Sequence, residues 1–154
     1  MRAEEISSWL DQFLSGKLNR TLVSEKDDAG VAGLEEGTVR MVGSSFDRIV
    51  HEQSEGRDVF VFFHSPHCGS SVSARPFWKA LVAALRARAP SMVLADADGW
   101  ANDWPLELSG LPDFRLFPAD DKKRPKRYTG PREVADAVAW LDDMAFNELT
   151  RDEL

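Results

Sequence analysis

Cys68 is the only cysteine in a chain of 154 residues, so no disulfide can form within it and any sulfur chemistry must pass through one thiol. The apolar run Val59-Phe60-Val61-Phe62-Phe63 reads as a strand, Pro66 breaks it, and a helix opens at Cys68. That order sets the thiol at a helix N-terminus. Unpaired backbone N–H groups and the positive end of the helix dipole favour the thiolate there, the form that attacks disulfides. Ser71 follows one helical turn on, where its hydroxyl can donate to the sulfur. His64 and His67 flank the cysteine, but three ligands so spaced across a strand end form no standard zinc pattern. Neither a metal nor another cofactor is expected.

The elements around this segment follow from periodicity. From Thr38 onward strand-like and helix-like stretches alternate, the pattern of an α/β domain. Residues 39–42 form a short strand, and Ser44 or Ser45 caps a helix carrying Phe46, Ile49 and Val50. Residues 59–63 form a central strand covered on both faces. Residues 68–88 form a long helix that Pro76 kinks, and 92–95 a further strand. Residues 114–117 and 126–129 read as a hairpin. Pro131 starts a closing helix with Val134, Val138, Leu141 and Met144 on one face, ending near residues 147–149. At the other end, residues 4–14 place Ile6, Trp9, Leu10, Phe13 and Leu14 at helical spacing before the stop Ser15-Gly16. Residues 26–37 have the composition of a linker.

Composition restricts the partners. At 43% hydrophobic residues the chain can bury one ordinary core. A formal charge of −7 argues against nucleic acid, which demands a basic footprint. The basic run between Asp120 and Arg127 reads as a solvated hairpin loop. No segment approaches the roughly 20 apolar residues of a membrane span, so membrane insertion is not expected. His51 is expected to face solvent. Trp100 and Trp104 suit core or loop packing, and an exposed aromatic near Leu111 would help bind unfolded chains.

Phe62-Phe63-His64-Ser65-Pro66-His67-Cys68-Gly69-Ser70-Ser71, followed by Arg75-Pro76-Phe77-Trp78, resembles the redox segment of the thioredoxin-fold domains of the protein disulfide isomerase family. The resemblance implies a thioredoxin-like α/β fold, a central mixed sheet flanked by helices with a cis-proline opposite the active-site helix. That family carries Cys-Gly-His-Cys, so Ser71 stands where its second cysteine would be and the motif here is a monothiol one. Gly110-Leu111-Pro112 is similar to the family's Gly-Phe-Pro or Gly-Tyr-Pro. It implies a cis Pro112 beside Cys68, with Leu111 pairing to an extended substrate; the alternative is an ordinary turn before a strand. Arg132 matches a family arginine that approaches the active site, against the alternative of a surface side chain in a helix's first turn.

The resemblance thus implies Cys68, Ser71 and Arg132 as catalytic residues, with His67, Gly69, Ser70, Leu111 and Pro112 meeting the substrate. His67 replaces the family's tryptophan and Ser70 its histidine, which lowers the expected oxidising power. Phe62 falls where dithiol members keep a buried glutamate, and Leu94 near its lysine partner. A buried carboxylate moves a proton for the second cysteine. Without that cysteine a buried charged pair would only cost desolvation, so apolar replacements are coherent.

Two function classes are open. One is an enzyme that isomerises client disulfides through a Cys68 mixed disulfide; the other is a non-catalytic client-binding, chaperone or retention module. Autonomous dithiol oxidase activity is excluded with one thiol. Expected partners are unfolded or disulfide-bearing clients, glutathione or other small thiols, and a retrieval receptor. The last follows from Arg151-Asp152-Glu153-Leu154, a Lys-Asp-Glu-Leu-like ending that implies the lumen of the endoplasmic reticulum. Residues 1–25 resemble the end of a preceding non-catalytic domain, the alternative being a helix that docks on its own domain. The expected organisation is then 1–25, a linker over 26–37, a thioredoxin-like domain over 38–149 and a tail over 150–154. Asn19-Arg20-Thr21 is a glycosylation sequon within the N-terminal part.

Overall fold

The computed structural model of the chain describes residues 2–17, 22–28 and 31–149. The sequon and the 150–154 tail lie outside the described residues. Five strands form one mixed sheet in the order β1-β3-β2-β4-β5. They are β1 (Val39–Arg40), β2 (Val59–His64), β3 (Val93–Asp98), β4 (Asp113–Phe117) and β5 (Lys126–Tyr128). β3 runs parallel to both β1 and β2, whereas β4 is antiparallel to β2 and β5 to β4. β2 is therefore central, with every residue buried.

The period of two along β2 divides its side chains between two cores. Phe60 and Phe62 join Leu94, Phe114 and Leu116 under the helices α2 (Gly69–Arg88) and α3 (Val134–Met144). Val59, Val61 and Phe63 join Ala95, Ala97 and Phe117 on the opposite face. Met41, Phe46, Ile49 and Val50 close that second face. α2 buries Ser71, Ala74, Phe77, Trp78, Leu81, Val82 and Leu85, the stripe that 3.6 residues per turn dictates. Pro76 lies inside it, as expected, and removes the N–H that would bond back one turn.

Several expected elements shift, the helix around Phe46 and the end of α3 with hydrogen bonds from distant segments. The helix around Phe46 is broken into a 3₁₀ turn, Gly43–Ser45, and a π-type turn, Arg48–Glu52. Neither Ser44 nor Ser45 caps it from outside; both lie within the 3₁₀ turn, with the Val42 N–H donating to Ser45 Oγ at 2.9 Å. The π-type turn is accounted for by its carbonyls. Ser54 Oγ donates to those of Ile49 and Val50 at 2.7 and 2.6 Å, and Lys122 Nζ donates to Val50 O at 2.7 Å. Lys122 thus departs from the reading of a solvated basic loop. It reaches Ser54 as well, and its burial holds its pKa below the ordinary lysine value. His51 is exposed, as expected.

α3 begins at Val134 with Glu133 as its N-cap, not at Pro131, and ends at Met144 rather than near 147–149. Asp58, 1% exposed, explains the early stop. Its Oδ1 accepts the N–H groups of Phe146 and Ala119, at 2.9 and 3.0 Å, and its Oδ2 accepts both the backbone and side-chain N–H of Asn147. A chain that gives those amides to Asp58 cannot also continue the helix. Asp58→Ala removes the buried acceptor of all these donors and is expected to cost about 2–4 kcal/mol. Urea unfolding measures it, and a loss below 1 kcal/mol would refute the assigned role.

α1 (Ala3–Leu14) buries no residue; Trp9 and Phe13 stack at 5.6 Å on its surface and are 52% and 60% exposed. The described part of the 26–37 stretch, a linker in composition, lies against the domain. Arg48 pairs with Asp27 at 2.7 Å, and the Leu34 N–H donates to Asp96 Oδ2 at 2.7 Å. Among the described residues no helix is long and apolar enough to cross a membrane.

Candidate active site around Cys68

β2 delivers the chain to Ser65, and a turn through Pro66 and His67 closes when the Cys68 N–H donates to Ser65 O at 3.2 Å. Proline's fixed φ suits the second position of such a turn. Cys68 then takes an extended conformation, φ −104° and ψ 114°, as the N-cap of α2. The sulfur is half-buried, while His67, Gly69 and Ser70 are exposed around it.

No side-chain capping bond is closed at Cys68; its thiol instead donates to Leu111 O at 3.6 Å. Ionisation reverses that preference, because a thiolate only accepts. The thiol pKa lies below its ordinary value, chiefly through the Ser71 backbone N–H, then the Ser71 hydroxyl and, more weakly, the Ser70 N–H; partial burial opposes them. These are donors of the first helical turn, which have no partner within the helix. Ser71 itself is 1% exposed, and its oxygen accepts the Ser65 N–H at 3.1 Å. That bond leaves the hydroxyl proton free to point at sulfur.

Ser71→Ala removes the second of these donors. It is expected to raise the Cys68 pKa and displace the pH profile of alkylation upward, because a depressed thiol pKa keeps the thiolate present at lower pH. The thiolate absorbance at 240 nm followed against pH measures the shift. An unchanged profile would remove Ser71 from the account.

The Leu111–Pro112 peptide bond is cis. Gly99 approaches Leu111 so closely that a Cβ there would lie 2.6 Å from Leu111 Cδ2, which brings the 98–104 segment beside the site. Trp100, on that segment, is 63% exposed. Trp104 packs edge-on against Phe63 at 5.1 Å, so of the two tryptophans only Trp100 is a surface feature. Arg132 is exposed and reaches the opposite rim, its Nη1 3.5 Å from Ser70 O.

Beneath the site, Phe62 is fully buried and stacks on Phe114 at 4.9 Å, with Trp78 at 5.3 Å. Leu94 pairs in register with Phe60, while the β3 partner of Phe62 is Asp96. Asp96, 3% exposed, is a buried acid that periodicity did not single out. Its Oδ2 accepts from Leu34 N and Thr38 Oγ1 at 2.7 and 3.0 Å, which binds it to the 31–38 segment; its Oδ1 lies 3.9 Å from His64 Nε2. Also missed were Ser65, which fixes Ser71, and the charged group Asp113, Arg115 and Arg127 next to Pro112. The available signal was an acid opening an apolar strand. Among the described residues no cluster of His, Cys, Asp or Glu is arranged to hold a metal.

Comparisons with known proteins agree with this architecture. The first thioredoxin domain of mouse protein disulfide-isomerase A4 superposes with a TM-score of 0.60 at 20% identity, over 84% of this chain and 92% of that one. Human ERp44 in a zinc-bound form gives 0.58 at 17%, over 69% of this chain and 31% of that one. At such identities the likeness is one of fold. In sequence, the chain is 34% identical over 139 residues to protein disulfide-isomerase A3 of Gallus gallus, covering 88% of this chain and 26% of that protein. It is 32% identical over 142 residues to protein disulfide-isomerase of Humicola insolens, covering 90% and 27%. The chain thus spans about a quarter of the length of these relatives. Residues 37–143 match the Thioredoxin family; with its mixed five-stranded sheet of this order and a relationship to protein disulfide isomerases over most of its length, the chain belongs to the thioredoxin family.

Proposed function

We propose that Cys68 carries out monothiol thiol–disulfide exchange on client proteins during folding. The observation that carries the reading is a half-exposed thiol whose pKa is lowered by Ser71 and whose sulfur faces the Leu111 carbonyl. In the first step the Cys68 thiolate attacks one sulfur of a client disulfide. A Cys68–client disulfide forms, and the other client sulfur leaves with the electron pair and takes a proton from water. A second thiolate of the same client then attacks the client sulfur of that bond, forming a new client disulfide and returning Cys68 as thiolate. Electrons are conserved over the cycle, so the outcome is isomerisation. Ser71 stabilises the leaving Cys68 thiolate, and Arg132 adds positive charge at the rim. Leu111, before the cis-proline, offers backbone groups to an extended client beside His67, Gly69 and Ser70.

The alternative is a client-binding module without turnover, favoured by the exposed Trp100, which follows Gly99, the residue that approaches Leu111. Reactivation of a scrambled-disulfide protein in glutathione buffer separates the two. Acceleration, with a Cys68–client adduct by mass spectrometry, supports exchange; suppression of client aggregation without acceleration supports the binding module.

The same reading sets the chain in the lumen of the endoplasmic reticulum, with residues 1–25 closing a preceding domain and Arg151-Asp152-Glu153-Leu154 read by a retrieval receptor. Removing those four residues from a full-length, signal-bearing protein is expected to cause secretion without loss of fold. Undiminished retention, measured in cells, would reduce them to a solvated tail.

A further inference from the structure

A cavity of about 220 Å³ opens on the Pro112 side of the site, and Pro112, Tyr128, Arg127 and Arg132 are among its walls. Two of these are guanidinium groups, and the buried acid beside Arg127, Asp113, is engaged chiefly by Arg115. Asp113, fully buried, is taken in a fork by Arg115, whose Nε and Nη2 donate to its two oxygens at 2.7 and 3.0 Å. Arg127 is left with a single longer approach, Nε to Asp113 Oδ2 at 3.5 Å, and its side chain is 39% exposed. Arg132 donates only to a neutral carbonyl, that of Ser70, among the contacts described. The acids facing this region from the start of α3 are Glu133 and Asp136; burial first, and then the charges of Asp136 and Glu133, hold the Tyr128 pKa above its ordinary value. Tyr128 in turn donates to Pro131 O rather than into the cavity.

The result is a concave surface with two incompletely paired guanidinium groups. It begins at the cis-proline that faces Cys68. A planar fork of N–H donors matches a carboxylate better than any other common client group.

We propose that this cavity is a subsite for a carboxylate carried one residue from the disulfide that Cys68 attacks, with Arg127 as its anchor. The proposal rests on the exchange reading above and names a substrate class for it: disulfides with an acidic neighbour. Arg127 recognises substrate and takes no part in bond making. The chain as a whole carries a charge of −7, so its long-range field disfavours an acidic peptide. A preference for one must therefore come from local positive groups.

The test uses paired tripeptides, Ala-Cys-Glu and Ala-Cys-Gln with blocked ends, whose cysteine is activated as the 3-nitro-2-pyridylsulfenyl disulfide. Attack by Cys68 forms the peptide mixed disulfide and expels the coloured nitropyridinethiolate, a step that demands only an accessible thiol. Rates are read at low ionic strength as the Glu/Gln ratio, divided by the same ratio for N-acetylcysteine. The expected ratio for the full chain is about three to five, the range of a partly exposed ion pair. It is expected to fall to about one in Arg127→Gln and in 0.5 M salt, and to persist in Arg124→Gln, a charge change in the hairpin loop at a residue that pairs with Asp121 and does not line the cavity. A wild-type ratio of one or less overturns the subsite, as does an elevated ratio that survives Arg127→Gln or disappears in Arg124→Gln. Failure of Cys68 to react with either peptide overturns the exchange reading itself and the subsite with it.

Discussion

Cys68→Ala is expected to lose all acceleration of client reactivation, falling to the rate of the glutathione buffer. The chain has one sulfur of this kind, and no other side chain at the site can form a covalent bond to a client disulfide and later release it. Ser71, the nearest hydroxyl, is buried and engaged with the Ser65 N–H, so it offers no substitute nucleophile. The fold should be little affected. Cys68 is half-exposed and closes no side-chain capping bond, so its loss creates no buried cavity and strands no buried donor. The decisive comparison pairs reactivation with suppression of client aggregation. Exchange predicts that the first vanishes while the second is kept, since Leu111 and Trp100 are untouched. Equal reactivation by wild type and variant would show that Cys68 does not turn over.

Ser71→Cys supplies a second sulfur at the position next to Cys68, and the expected result is a slow internal disulfide. An attacking thiol must first lose its proton, and the side chain below the site is the ring of Phe62 rather than a carboxylate. Phe62 fills the space below with a ring that is fully buried against Phe114 and Trp78. The buried carboxylate nearest in register, Asp96, is bonded to Leu34 and Thr38. Adding Phe62→Glu to Ser71→Cys should therefore speed closure by about a hundredfold, the low end for a positioned proton acceptor. Trp78 Nε1 is buried without a hydrogen-bond partner and its ring lies 5.3 Å from that of Phe62, so it can donate to the new carboxylate. Release of Cys68 from a glutathione mixed disulfide, followed in both variants, measures the effect. Fast closure in the single variant would mean that the apolar pair at Phe62 and Leu94 is no adaptation to one thiol.

The features legible in the amino-acid order are those set by near neighbours and by period. A five-residue apolar run, a proline and a cysteine before a helical stripe specify the strand, the turn and the thiol at the helix N-terminus, because each element is decided within a turn or a pleat. The same holds for the two cores, since alternation along β2 assigns Phe60 and Phe62 to one face and Val59, Val61 and Phe63 to the other. The cis Leu111–Pro112 bond was legible as a resemblance and is present in the structure.

Contacts between distant segments decided the rest. α3 stops at Met144 because Asp58, 88 and 89 residues away in sequence, takes the N–H groups of Phe146 and Asn147. Lys122 leaves its loop because Val50 and Ser54, 72 and 68 residues away, supply oxygens that a solvated lysine would replace with water. The guanidinium of Arg127 is available beside Pro112 because Arg115, two residues along β4, already holds Asp113, a competition that no local pattern encodes. Periodicity identifies which residues are buried. Which polar group meets which, and which is left over for a substrate, is set only when the strands and helices close around one another, since hydrogen-bond partners are chosen by distance in space and not by distance along the chain.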